Sequence, residues 1–178
     1  MRELLLRANC IKRAYENDER LTFFFLIYYI SIMMRLYLDN CCFNRPFDDQ
    51  QQLKIKLETD AKLFIQQELL AGKYELAWSY VLDYEIEINP FEERKEKFKQ
   101  WKNIAKCFCA EEEIILLEAE KLAAMKFKII DALHISAAKF LNCDYIITTD
   151  RKMLNKEVPD ILIVNPIDFL QREVFYED

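Results

Sequence analysis

Glycine is nearly missing from this chain: Gly72 stands alone among 178 residues. Phosphate-cradling loops need several glycines, because only a residue without a Cβ lets the backbone approach the ligand closely. One glycine therefore excludes both GxGxxG and GxxxxGK[ST], and with them dinucleotide-binding and P-loop folds. Histidine is as scarce. His134 is the only one, so an HExxH zinc site cannot be written and any triad would have to form around that residue. The cysteines, Cys10, Cys41, Cys42, Cys107, Cys109 and Cys143, contain no CxxC pair. Neither the adjacent pair nor the CxC follows zinc spacing, which points to a reduced, cytoplasmic setting.

Basic residues are outnumbered, 25 against 31 acids, for a net charge of −6. That balance argues against a protein that coats nucleic acid. It leaves room for an enzyme that meets nucleic acid locally, through bound cations. With 52% hydrophobic and 31% charged residues, the chain has the composition of a globular domain, long enough for one real core.

The longest apolar run, "LTFFFLIYYISIMM" at residues 21–34, has signal-peptide length but is too short to span a bilayer comfortably. No A-x-A cleavage pattern follows it. A secretory or membrane reading competes with one in which Met33 or Met34 is the natural start. The second is preferred, since "MRLYLD" reads as the opening strand of an α/β domain. Residues 1–33 are then an extension outside the domain, residues 34–178 form it, and no membrane is involved.

From Met34 onward apolar strands alternate with helices. Residues 35–39 predict a strand, and "FNRPFDDQ" a turn in which Pro46 discourages helix. Residues 50–71 carry Leu53, Leu57, Ala61 and Phe64 at helical spacing, with Gly72 as the stop. "ELAWSYV" predicts the second strand, followed by a helix from about Leu82 to the "NP" at 89 and 90. "FEERKEKFKQWKNIA" and "AEEEIILLEAEKLAAM" predict amphipathic helices, and residues 129–141 a buried one. "YIITT" and "ILIV" predict the last strands, and "PIDFL" a closing helix. This alternation implies an α/β fold with a parallel sheet covered by helices on both faces.

Four acids stand where a carboxylate is costly. Asp39 and Asp150 each follow an apolar strand, and the crevice beyond the carboxyl ends of parallel strands is where ligands bind. In "SYVLDYEIEINP", Glu85 falls within the apolar arc of Val81, Leu82, Tyr84 and Ile88, while Asp83 and Glu87 lie opposite. A shift of two residues would select Asp83 or Glu87 instead. Asp131 shares its helix face with Ile135 and Ala138. Converging unpaired carboxylates repel one another, and a hard divalent cation resolves the repulsion. The ordinary alternative is that each acid pairs separately with a lysine or arginine, or caps a helix.

The segments "LYLDN", "SYVLDYEI", "DALHISAAKFLNCDYIITTD" and "ILIVNPIDFL" resemble the successive motifs of PIN domains, including toxin ribonucleases of bacterial toxin–antitoxin pairs. The resemblance runs from about Met34 to Leu170. It implies a three-layer α/β/α sandwich and Mg²⁺- or Mn²⁺-dependent hydrolysis of RNA phosphodiesters to 5′-phosphate and 3′-hydroxyl ends. Its acid cluster maps onto Asp39, Glu85, Asp131 and Asp150, with Thr148 as the accompanying hydroxyl. It further implies a cognate antitoxin and a homodimer. Asn40 stands where the family often has Ser, Thr or Ala, and the first 33 residues have no counterpart.

Near these acids, Asn40, Asn44, Arg45, Arg151 and Lys152 could contact RNA. The stretch bearing Arg94, Lys95, Lys97, Lys99 and Lys102 could track a phosphate backbone, but interleaved Glu92, Glu93 and Glu96 favour an ordinary solvated face. His134 follows Asp131 by three residues; a lone helical histidine is more often structural than catalytic. Rival classes are a PIN-like module that binds RNA or protein without cutting, and another acid-cluster fold. "DNCCF" lacks the DxDx[TV] of a phosphatase, and the paired acids of a receiver domain are absent.

Overall fold

The first strand, β1 (Arg35–Leu38), is the centre of the molecule because nothing in "LYL" tolerates water: Leu36, Tyr37 and Leu38 are each fully buried. A computed structural model describes residues 33–173. The expectations for residues 1–32, and the last five positions of the expected domain, lie outside the described residues. The described residues from Met34 onward belong to one compact unit. Among the described residues no helix is long and apolar enough to cross a membrane.

β1 is flanked by β2 (Glu75–Ser79) and β4 (Tyr145–Ile147), with β3 (Cys107–Cys109) and β5 (Leu162–Val164) at the edges. All pairs are parallel, in the order β3-β2-β1-β4-β5. The chain steps outward from β1 to β3 on one side, then returns to start again at β4 on the other. The seam between β1 and β4 is therefore the switch point, where the loops beyond two adjacent strands part and leave a crevice.

The helices are α1 (Asn40–Asn44), α2 (Leu53–Leu70), α3 (Tyr80–Glu87), α4 (Glu92–Lys102), α5 (Glu113–Ala124), α6 (Ile129–Phe140), α7 (Arg151–Leu154) and α8 (Pro166–Glu173). α5 packs along α6, and α2 along α8. Alternation along the strands sorts the two faces. Tyr37 and Ser79 share one face and meet each other, and Tyr37 reaches His134 of α6. Trp78 points the other way, stacking with Phe43, whose ring lies under Lys62 of α2. The result is a three-layer α/β/α sandwich.

Four local expectations are corrected. Phe43 and Asn44, expected in the turn, close a short helix, Asn40–Asn44, and Pro46 follows in a 3₁₀ turn, Arg45–Phe47; proline is tolerated in a first turn, where its missing N–H has no partner to lose. The second strand stops at Ser79, because Ser79 Oγ accepts the Leu82 N–H and starts the helix at Tyr80. β3 and α7 were not expected. Three and four residues long, they are too short to show a period. α6 is less enclosed than its composition suggests, with Ile129 and Phe140 exposed at its ends.

Scarcity of glycine also shows at the helix ends. Gly72 follows α2 with φ +73, the left-handed conformation a helix stop favours. After α5 and α6 the same role falls to Lys126 (φ 68) and Asn142 (φ 52), although a Cβ there costs about 1 kcal/mol.

Lys62 is the one cation of α2 that is buried without an acid partner among the described residues. Burial pulls its ammonium down to about 8 from 10.5. The unfolded chain holds that proton up to 10.5 and the folded chain only to about 8. This lysine therefore makes stability rise with pH across that window, and burdens the fold below it. Lys62→Met should raise unfolding stability at neutral pH by about 2–3 kcal/mol. Urea melts between pH 7 and 10.5 should show the difference from wild type shrinking as pH rises.

Candidate active site

Three strand-end segments and two helices meet at the β1–β4 seam. Asp39 follows β1 directly, and its N–H donates to Ile147 O at 3.0 Å. Its side chain is 9% exposed, so its lone pairs need donors. Thr148 supplies one, donating its hydroxyl to Asp39 Oδ2 at 2.7 Å while accepting the Asp150 N–H at 3.0 Å. Cys41 supplies another, its Sγ lying 3.0 Å from the same oxygen and accepting the Thr149 N–H at 3.2 Å. Asp150 then caps α7, accepting the Lys152 N–H at 2.7 Å.

Glu85 comes from α3. Val81, Leu82 and Ile86 are buried, but Tyr84 and Ile88 are 56% and 62% exposed. The apolar arc is therefore narrower than expected, and Glu85 sits at its margin, half-buried. The alternatives to Glu85 are engaged elsewhere. Asp83 accepts from Trp78 Nε1 at 2.9 Å and Lys102 Nζ at 2.8 Å, and Glu87 pairs with Lys99 at 3.6 Å.

α6 brings Asp131 in its first turn and His134 one turn later. His134 Nε2 donates to Glu85 Oε2 at 2.8 Å and lies 3.7 Å from Asp39 Oδ1. One ligand atom each from Asp39, Glu85 and His134 fall within 4.8 Å of one another. On its other side, His134 Nδ1 is 2.7 Å from the Tyr37 hydroxyl, which is 2.6 Å from Ser79 Oγ. With Nε2 protonated toward Glu85, a neutral ring accepts from Tyr37 at Nδ1, and Ser79 in turn donates to Tyr37.

The charges are strained in the direction a cation would relieve. Burial pushes the Asp131 carboxyl above its ordinary value; Lys128 and His134 work against this, and the negative charges of Asp150 and Asp39 reinforce it. Burial works to lower His134, but its hydrogen bond to Glu85 and the charges of Asp39, Glu85 and Asp131 outweigh that and leave it raised. Among the described residues no lysine or arginine forms an ion pair with any of the four acids.

The residues expected to meet RNA divide. Arg151 and Lys152 are exposed beside Asp150. Arg45 is committed: it bridges Asp48 at 2.9 Å and the buried Glu58 at 3.1 Å, and reaches toward Thr149 O at 3.5 Å. Asn44 donates to Asn40 and accepts from Asn89 and Arg94. Sequence reasoning passed over Cys41, Tyr37 and Ser79, and set His134 aside as structural. The signal for Tyr37 was present: a tyrosine inside a buried strand must bring its hydroxyl to a partner.

Tyr37→Phe removes the middle of that chain and leaves Ser79 Oγ and His134 Nδ1 buried without it. Stability should fall by about 1–3 kcal/mol, measured by denaturant unfolding. An unchanged midpoint would show that the Tyr37 hydroxyl holds nothing in place.

No family model and no curated protein sequence matches the chain. Solved structures do. A chain of a DNA-bound VapBC complex from Salmonella typhimurium aligns over 75% of this chain and 99% of its own, at 12% identity and TM-score 0.50. A chain of VapBC2 from Rickettsia felis, bound to a promoter DNA fragment, aligns over 74% and 98%, at 17% identity and TM-score 0.49. At such identities the likeness concerns the fold, which is PIN-like.

Proposed function

We propose that this chain is a divalent-metal-dependent endoribonuclease that hydrolyses RNA phosphodiester bonds, acting as the toxin of a toxin–antitoxin pair. One observation carries the reading. Asp39, Glu85 and His134 present ligand atoms within 4.8 Å of one another, with Asp131 and Asp150 close enough to act on each other's charge and, among the described residues, no lysine or arginine paired to any of the acids. The four carboxylates supply hard oxygen donors, which fit Mg²⁺ or Mn²⁺.

Asp39, Asp131, Asp150 and Glu85 would hold the ion. When bound, it would lower the pKa of a coordinated water and stabilise charge on the attacked phosphate. The chain's own residues do the positioning. Thr148 fixes one oxygen of Asp39 and leaves the other free on the His134 side. His134, held from behind by Tyr37, orients Glu85. Arg151 and Lys152, with Asn40 and Asn44, would meet the RNA. Arg45, already bound to Glu58, would brace the loop rather than touch substrate.

The partner assignments rest on the neighbours in fold. Those proteins are described as VapBC complexes bound to DNA, which supports an antitoxin partner here. Homodimerisation belongs to the same proposal.

Asp39→Asn should lower RNA cleavage by about 10³-fold or more while leaving the circular dichroism spectrum and Mg²⁺-free thermal midpoint near wild type. Cleavage by wild type should stop with EDTA and return with Mn²⁺. At a Mn²⁺ concentration a hundredfold above Kd, wild type should gain about 2.7 kcal/mol in stability and Asp39→Asn should gain little. Metal-independent cleavage, or full activity in Asp39→Asn, would remove the proposal.

A further inference from the structure

An acidic protein whose reaction centre is itself a cluster of carboxylates has to hold an RNA strand against repulsion, so some cations must be free to meet phosphates. The obvious basic stretch is not free. On α4, Lys95 pairs with Glu92, Lys99 with Glu87 and Glu96, and Lys102 with Asp83. Arg94 stacks on Phe91 at 4.0 Å, and Lys97 lies over Phe47 at 5.5 Å.

Free cations are found on the other side of the acids. A cleft of about 430 Å³ is lined by Lys54 of α2, Arg151 and Asn155 beside α7, and Arg172 of α8, over a floor that includes Ile163 and Val164 of β5. Neither Arg151 nor Arg172 has a carboxylate ion-pair partner among the described residues. The one acid in the lining, Asp168, accepts from Asn165 Nδ2 at 2.5 Å. Lys54 leans on Glu58 at 3.4 Å but keeps half its side chain in solvent. The cleft thus carries three cations against one carboxylate.

Its position is set by the sheet. Val164 is the register partner of Ile147, and Val164 O accepts the Thr148 N–H at 2.9 Å. The floor is therefore one strand spacing, about 4.8 Å, from the strand that leads into Thr148 and Asp150. Arg151 is the residue after Asp150. A strand of RNA with one phosphate at the acids would bring a neighbouring phosphate over β5.

We propose that this cleft is a phosphate subsite for single-stranded RNA, in which the forked guanidiniums of Arg151 and Arg172 grip a phosphodiester next to the one attacked. It rests on the ribonuclease reading for its substrate, and predicts binding that can be measured without any cleavage. RNA is favoured over an acidic peptide because Arg151, in the lining of the cleft, directly follows Asp150 of the carboxylate cluster.

The test uses full-length Asp39→Asn protein, with wild type in EDTA as a second preparation, and a labelled oligoribonucleotide titrated by fluorescence anisotropy over a range of salt. Adding Arg172→Gln or Arg151→Gln should weaken binding about 5- to 10-fold and reduce the slope of log affinity against log salt by about 0.7 each. Lys121→Gln, on exposed α5, should change neither. Unaltered affinity and slope in both arginine variants, or no RNA binding by either preparation, would overturn the subsite. So would a poly-glutamate peptide or inorganic phosphate that binds as tightly as RNA with the same arginine dependence. If arginine-dependent RNA binding is found but wild type with Mn²⁺ cuts no RNA, the subsite stands and the nuclease reading alone fails.

Discussion

A single hydroxyl ties the candidate site together. Thr148 gives its proton to Asp39 and takes the N–H of Asp150, so the segments leaving β1 and β4 are coupled through one oxygen. Without that link, two acids would face each other across a crevice with their positions set only by loops. With it, the spacing between Asp39 and Asp150 is tied to the pairing of Leu38 with Ile147, one residue before the first acid and three before the second. Precision in the site is inherited from the hydrogen-bonded sheet, which is the most rigid part of such a fold.

The same dependence runs beneath the acids. Ser79 ends β2 and caps α3; its hydroxyl meets Tyr37 of β1, and Tyr37 meets His134 of α6. His134 in turn reaches Glu85, back on α3. The chain of contacts returns to the helix from which it began. Side chains from two strands and two helices thus hold one carboxylate at the mouth of the crevice, and every polar atom in the relay has a partner, as burial requires.

How much of this could be read beforehand depended on the scale of the signal. Continuous apolar strands such as "LYL" and "YIITT" gave the parallel sheet, because burial on both faces leaves no room for alternation. Gly72 marked the end of α2, since a left-handed stop suits glycine best. Asp39, Asp131 and Asp150 stood out as charges where apolar residues were expected. Short elements escaped: α1 is hidden behind Pro46, and β3 is an edge strand whose Phe108 remains exposed. The relay escaped for another reason. Tyr37, Ser79 and His134 lie far apart in the chain, and only strand register brings their polar atoms within reach. Arg45 looked like a loop cation open to substrate, but its partner Glu58 is a buried residue of a different helix.

The two left-handed residues other than glycine that follow α5 and α6, Lys126 and Asn142, lie three residues before the start of α6 and two after its end. A glycine at either place would let the backbone swing through many conformations; Lys126 and Asn142 admit few. α6 is therefore mounted between stiff joints. It presents Asp131 and His134 from a helix whose two connecting turns have little conformational freedom.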